Sequence, residues 1–193
     1  MDETLSQSPP TLLSLIHQRR SVRKYADRPV EREKILQCVE AARLAPSAQN
    51  AQPWRFVVLD DPAIKDPFCT RVFSGIYRPI RFVQRAPALV VLLARVDLVA
   101  HRLGGRVQGT PYYLIDIGIA GEHFVLQATE SGIGTCWIGW FNAQAAQKAL
   151  DLPRSYKAIA LIAMGYPLED SAVRSRPRKP LEDLVFYNSF RAT

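Results

Sequence analysis

A single domain in which helices alternate with fully buried strands is what this 193-residue sequence predicts. Three observations lead there. Ala88-Leu89-Val90-Val91-Leu92-Leu93-Ala94 is continuously apolar, as a central strand covered on both faces must be. Lys157–Met164 (KAIALIAM) repeats that pattern. Between them, from Tyr112 or Tyr113 to Ser131, runs the longest helical periodicity. Leu114, Ile117, Gly121, Phe124, Val125 and Ala128 share one stripe, widened by Ile115 and Ile119. Such breadth predicts a helix buried nearly all round, at the core of the fold. Gly118 and Gly121 lower helix propensity, so close packing against another backbone would be their reason.

Composition sets the outer bounds. With 48% hydrophobic and 22% charged residues, the chain has the make-up of an ordinary soluble globular protein. The formal net charge of +7 fits a nucleic acid or an anionic cofactor. No zinc spacing or RNA-binding aromatic signature accompanies it, which makes nucleic acid the weaker reading. Cys38, Cys69 and Cys136 are odd in number and form no CxxC pair, so a reduced, cytoplasmic protein is expected. His17, His101 and His123 lie far apart, and no metal site is expected. Met1-Asp2-Glu3-Thr4 has none of the character of a signal peptide. No run approaches ~18 apolar residues, so no membrane span is expected.

Taken in order, residues 1–10 are a loose, polar lead-in. Thr11 caps a short helix carrying Leu12, Leu13, Leu15 and Ile16. Arg19-Arg20-Ser21-Val22-Arg23-Lys24-Tyr25 follows directly. In a helix its cations would spread over two faces. Extended, Arg19, Ser21 and Arg23 point one way, and Val22 and Tyr25 favour that conformation. Guanidinium forks grip phosphate bidentately, so the stretch reads as an anion cradle, against the alternative of a solvated basic segment. Asp27-Arg28-Pro29 turns the chain. A second helix is expected from about Glu31 to Ala45, with Ile35, Val39 and Ala42 at helical spacing and Pro46 as its stop.

Pro46-Ser47-Ala48-Gln49-Asn50-Ala51-Gln52-Pro53 is a polar loop between prolines. Its neutral donors and acceptors suit the edge of a heteroaromatic ring, and equally a plain helix-to-strand connection. Trp54–Leu59 is a strand, ended by Asp60-Asp61-Pro62. Residues 63–85 read as helical pieces around Arg71–Gly75 and a loop at Arg78-Pro79. Residues 95–112, with Gly104-Gly105 and Gly109, read as a mobile loop that either covers a site or has no role. After the long helix Gly132 fits the C-cap, and Gly134–Phe141 is expected as a short strand with a glycine in it. Asn142 caps a helix through Leu150, and Asp151-Leu152-Pro153 turns into the last buried strand. Residues 165–193 form a C-terminal extension. It carries Arg174, Arg176, Arg178 and Lys179, then Leu184-Val185-Phe186-Tyr187, which are too apolar for a free tail and should pack on the domain or on a dimer.

The chain lacks G-x-S-x-G, G-x-G-x-x-G and Walker patterns, and its cysteines have no histidine nearby in sequence. An enzyme so equipped needs a cofactor to supply the reactivity. Four segments then carry a resemblance. Arg19–Tyr25, Ala45–Trp54, Gly132-Ile133-Gly134-Thr135-Cys136-Trp137-Ile138-Gly139 and Arg178-Lys179-Pro180-Leu181-Glu182 are similar, in that order, to the signatures of the nitroreductase family of flavoproteins. The similarity extends from about Leu12 to Tyr187.

The resemblance implies an α+β three-layer sandwich, with a mainly antiparallel sheet between helices. It also implies an obligate homodimer joined through the long central helix, with FMN at the interface. By position, Arg19, Ser21 and Arg23 match residues holding the flavin phosphate, ribityl chain and pyrimidine side, with Arg20 at a variable spot. Pro46, Ser47, Ala48, Asn50 and Gln52 match the loop that reaches the flavin from the partner subunit. Cys136, Trp137, Ile138 and Gly139 match the segment along the isoalloxazine, where a backbone N–H faces N5. Arg176 and Arg178 match basic residues near the phosphate. Around Gly139 the chain departs from bacterial nitroreductases that have Pro-Ile-Glu-Gly, so the resemblance does not fix the N5 donor.

The implied activity is hydride transfer from NADH or NADPH through FMN to a nitroaromatic, quinone or similar small acceptor, with no catalytic side chain beyond Arg23 tuning the flavin. Other chemistry on the same fold (reductive dehalogenation, azoline oxidation, flavin fragmentation) is the first alternative, and a basic nucleic-acid-binding module the second.

Overall fold

The computed structural model describes residues 10–97, 109–168 and 176–190. Local capping chemistry starts most elements. The Thr11 hydroxyl accepts the Ser14 N–H at 3.2 Å and opens α1 (Leu12–Gln18). After Glu31, α2 (Arg32–Arg43) runs until the approach of Pro46 ends it. β1 (Trp54–Leu59) comes next, and α3 (Pro62–Val72) follows it almost at once. Here the structure corrects the expectation for residues 63–85. Helical pieces do flank Arg71–Gly75, α3 before it and a run of 3-10 turns, Gly75–Arg85, after it, but that run takes in Arg78-Pro79, where a loop was expected. Asp61 accepts the Ala63 N–H at 2.9 Å with Pro62 in the first turn. The pair that ends β1 is therefore also a helix start, and this double use hides α3 from periodicity.

The remaining elements are β2 (Ala88–Arg95), α4 (Tyr112–Glu130), β3 (Gly134–Ile138), α5 (Ala143–Ala149) and β4 (Tyr156–Gly165). Asn142 caps α5 by accepting the Ala145 N–H at 2.9 Å. Gly132 follows α4 with φ +74°, a conformation that favours glycine. β3 is shorter than expected: it ends at Ile138, so Gly139 and Trp140 lie beyond the ladder. Residues 98–108 of the expected loop, and Arg174, lie outside the described residues.

The strands pair antiparallel throughout in the order β1-β2-β4-β3, giving an α+β architecture. Strand alternation divides the core between the two faces. Leu89, Val91 and Leu93 of β2 join Phe68, Val72 and Ala146 from α3 and α5. Ala88, Val90, Leu92 and Ala94 join Ile35, Ala42, Ile117 and Phe124 from α2 and α4. Where Leu92 pairs with Ala160 but Leu93 with Ala158, Ile159 is the extra residue of a bulge.

The central helix departs from its expected burial. Ile117, Gly121, Phe124, Val125 and Ala128 are buried, but Leu114 is 44% and Ile115 50% exposed. Gly121 is closely approached, though by side chains and not by the backbone that was expected: a Cβ there would overlap the Trp137 ring and lie 2.9 Å from Leu92. Gly118 is not; a Cβ there would meet open space. An apolar helix face is thus left uncovered by the described residues. The same holds for Leu184, Val185, Phe186 and Tyr187, all exposed, so the expected packing of the tail is not made within the described chain. No helix among the described residues is long and apolar enough to cross a membrane.

One surface knot ties the basic segment to the sheet. Tyr166, just after β4, accepts the Ala26 N–H on its carbonyl at 2.8 Å. Its hydroxyl accepts from Lys34 Nζ at 2.7 Å and donates to Glu31 Oε2 at 2.5 Å, while Arg28 stacks 4.0 Å from its ring centroid. The tyrosine hydrogen bond first, then a backbone bond and Arg28, bring the Glu31 carboxyl from 4.5 down to about 2. A lowered folded-state pKa contributes stability above the ordinary glutamate range and loses it as pH falls towards 2. Thermal melts of wild type and Glu31→Gln should therefore differ at pH 6 and converge as pH approaches 2. Coincident melts at pH 6 would show that the knot contributes nothing.

Candidate functional site

The basic stretch leaves α1 in extended form and is clamped to the sheet by its apolar members. Arg19 returns its N–H to Leu15 at 2.8 Å, then the chain straightens. The Val22 N–H donates to the Thr135 carbonyl at 2.8 Å, and Ser21 bridges Thr135 in parallel. Gly134 makes this approach possible, because a Cβ there would sit 2.6 Å from Val22 Cγ2. Tyr25 is buried and donates its hydroxyl to the Val22 carbonyl at 2.6 Å; burial raises its pKa. With Val22 and Tyr25 inward, Ser21 and Arg23 are left exposed on the outer side. Arg19 is half-buried, its Nε 3.5 Å from Glu122 on α4. The segment is non-helical as expected, but with both Val22 and Tyr25 buried it does not alternate strictly, and Arg19 is anchored more deeply than Ser21 and Arg23.

The C-terminal arginines return to this arc. Arg176 has its guanidinium pKa lowered, first by burial and then by Arg19, Arg178 and Arg20. Two basic clusters more than 150 positions apart in sequence therefore converge. Beside them Arg19 and Arg20, with Thr129, Gly132, Thr135 and Pro167, line a cavity of about 160 Å³. Burial and the neighbouring cations that disfavour the charge on Arg176 are relieved by an anion, and the donor set fits the phosphate of a flavin mononucleotide.

β3 runs along the edge of the sheet. Since the Thr135 carbonyl faces Val22 on the side away from β4, strand alternation turns the backbone groups of Trp137 to that same free edge. Cys136 is buried and faces the Ser21 hydroxyl and the Arg23 guanidinium. Burial raises its thiol pKa despite both neighbours, which keeps it neutral and unsuited to nucleophilic work. Trp137 packs its ring on Gly121, Ile138 is buried in the core, and Gly139 is exposed with open space around it.

The loop after α2 lies elsewhere on the chain. The Ala48 N–H donates to Asp116 Oδ1 at 3.1 Å, the Gln52 N–H to Ser47 Oγ at 3.0 Å, and Gln52 Nε2 to Asn50 Oδ1 at 2.9 Å. Gln49, Asn50 and Gln52 all hold positive φ, a local strain that these bonds sustain. Pro46 and Asn50 are exposed. Along α4 the loop is fastened at Asp116, whereas the arginine arc meets Glu122 and the cavity reaches Thr129. At 1.5 Å per residue, Asp116 and Thr129 are about 20 Å apart. The structure gathers Arg19, Arg20, Ser21, Arg23, Cys136, Arg176 and Arg178, and sets Pro46–Gln52 apart from them.

Within this frame the family model for the nitroreductase family matches residues 16–166. The chain belongs to the nitroreductase family. An NADH dehydrogenase of Thermus thermophilus is 30% identical over 195 residues, covering 88% of this chain and 92% of that protein. A 5,6-dimethylbenzimidazole synthase of Rhodospirillum rubrum is 29% identical, covering 83% of each. Among solved structures, a nitroreductase family protein from Clostridium difficile superposes with a TM-score of 0.75 at 30% identity, over 91% of this chain and 97% of that one. As a nitroreductase-family member the chain is an oxidoreductase.

Four residues of the site had no motif to announce them. Asp116 and Glu122 fasten the loop and Arg19 from an otherwise apolar helix, and an acid within an apolar stripe is the signal that could have found them. Phe82 lies with its ring centroid 5.9 Å from the Arg23 guanidinium carbon, and Trp140 follows Gly139 directly. No local pattern marks either.

Proposed function

We propose that this nitroreductase-family chain acts as a cytoplasmic homodimer, an NAD(P)H-dependent oxidoreductase with FMN bound where two copies meet. The chemistry such a flavin supplies when bound is acceptance of hydride from NADH or NADPH and its delivery to a nitroaromatic, quinone or similar acceptor. Arg19, Arg20, Arg176 and Arg178 neutralise the phosphate dianion, with Glu122 orienting Arg19. Ser21 supplies a hydroxyl to the ribityl side. Arg23, outside the sheet and braced on Phe82, places positive charge where a reduced ring is electron-rich. Cys136, Trp137, Ile138 and Gly139 offer backbone along the ring.

The observation that carries the reading is the separation along α4. Arg19 meets α4 at Glu122 and the cavity it lines reaches Thr129, about 9 and 20 Å along the helix from the loop's anchor at Asp116, so Pro46, Ser47, Ala48, Asn50 and Gln52 reach a ring held by those arginines from another copy. Leu114, Ile115 and the open Gly118 give that copy an apolar helix face to cover, and the exposed Leu184–Tyr187 segment a second surface.

Purified protein should be yellow, dimeric by light scattering, and bleached anaerobically by NADH or NADPH. Colourless protein that cannot be loaded with FMN would overturn the reading. The relative named 5,6-dimethylbenzimidazole synthase favours a second reading, other chemistry on this fold such as flavin fragmentation. Bleached protein that neither nitroaromatics nor quinones reoxidise, and whose flavin is lost on exposure to air, would favour it.

A further inference from the structure

Trp140 is exposed and follows the flavin-edge segment with one residue between it and β3. It is 58% exposed, which is unusual for an indole unless something covers it. It is nonetheless held in place. Its Nε1–H points to the Ile76 carbonyl at 3.5 Å, and its ring leans on Tyr77, with centroids 5.5 Å apart and planes at 55°. Phe141 behind it is buried in the core, which fixes the backbone on that side. A large aromatic surface is thus presented to solvent in a set orientation.

The run Gly75–Arg85 that buttresses Trp140 also buttresses Arg23. Tyr77 touches the indole, while Phe82 lies beneath the guanidinium. Five residues of 3-10 geometry separate the two contacts, about 10 Å at ~2.0 Å per residue. The one run thus supports both an aromatic face and an exposed cation. The run itself contributes Arg78, Arg81 and Arg85 and no acid, so the ground between them is electropositive.

We propose that Trp140, backed by Tyr77, is the stacking platform of the acceptor site, and that with Arg23 it selects flat aromatic acceptors carrying an anionic substituent. This deepens the flavoenzyme reading and rests on Gly139 lying at the flavin edge. The acceptor stacks on the indole with its carboxylate or sulfonate turned to the guanidinium. Stacking supplies affinity for any flat ring, and the charge supplies the choice among rings.

The test uses the flavin-loaded protein and two probes of equal shape, 4-nitrobenzoate and 4-nitrobenzamide. Binding is read without turnover, from the perturbed visible absorbance of the oxidised flavin and from protection of tryptophan fluorescence against acrylamide. Of the three tryptophans Trp54 is buried and Trp137 half-buried, which leaves Trp140 as the indole most open to the quencher. Wild type should bind the benzoate several-fold more tightly than the amide, with the preference shrinking in added salt. Trp140→Ala should weaken both probes by about fivefold to tenfold and abolish the protection. In turnover it should raise KM while leaving kcat within about twofold, and Trp140→Phe should recover most of the affinity.

Equal affinities for the two probes in wild type would overturn the selection by charge. Unchanged affinities in Trp140→Ala would overturn the platform. Protein that holds no flavin would overturn the parent reading as well, and its missing colour shows this before any probe is added.

Discussion

Arg19→Ala/Arg176→Ala protein is expected to leave purification almost colourless. Each guanidinium would contribute charge-assisted hydrogen bonds to a phosphate dianion, about 1.5–3 kcal/mol apiece, or roughly ten- to a hundredfold in FMN affinity. The double replacement should exceed either single one. Its effect on the fold should be small and of informative sign. Arg176 sits among Arg19, Arg20 and Arg178, which disfavour its charge, so removing it relieves repulsion. Arg19 loses one partly exposed contact to Glu122, of the kind that contributes little. The flavin-free variant should therefore melt within about 2 °C of flavin-free wild type, while losing the rise in Tm that FMN gives wild type. A variant that retains full flavin occupancy would show that these arginines do not hold the phosphate.

Gly121→Ala should cost about 1–3 kcal/mol, a drop in Tm of roughly 2–12 °C for a chain of this size. The methyl has nowhere to go, because the Trp137 ring already lies in its position and Leu92 closes the other side at 2.9 Å. Either α4 withdraws from the sheet or β3 tilts, and β3 carries the segment proposed to run beneath the flavin. FMN affinity should fall with stability. Adding Trp137→Phe, which removes the larger ring system, should return part of both losses. Strictly additive losses in the double variant would place the strain somewhere other than this contact. Gly118→Ala is the matched control in an isolated chain, where its methyl meets open space. In the proposed dimer that position faces the second copy, so Gly118→Ala should act on the dimer dissociation constant.

Much of the fold could be read along the chain because its causes are local. Ala88–Ala94 and, after Lys157, Ala158–Met164 are apolar at every position, and the structure places them in the two inner strands of the sheet. Thr11 and Asn142 act as caps because a short side-chain oxygen reaches the next turn without help from the rest of the protein. The non-helical path of Arg19–Tyr25 was legible for a related reason. Val22 and Tyr25 want burial and Arg23 and Lys24 between them want water, and the non-helical chain serves both by breaking strict alternation there.

What was not legible depended on segments distant in sequence. α3 was masked because Asp61-Pro62 serves both as strand end and as helix start. The stripe on α4 reads as burial all round, since hydropathy cannot distinguish a neighbour in the same chain from one in another. Leu114 and Ile115 share that stripe and are nonetheless exposed in the chain by itself. Gly118 and Gly121 look alike in sequence and differ only in what stands opposite, open space for one and an indole for the other.

Short-range patterning, set by chain geometry and the transfer of side chains from water, specified the elements and singled out the arginines. The meeting of Arg176 with Arg19, the separation of Pro46–Gln52 from both, and the paired supports of Trp140 and Arg23 arose only once the sheet was assembled. Those contacts join residues tens to more than a hundred positions apart, and which of them form is decided by packing, which no local window of the chain records.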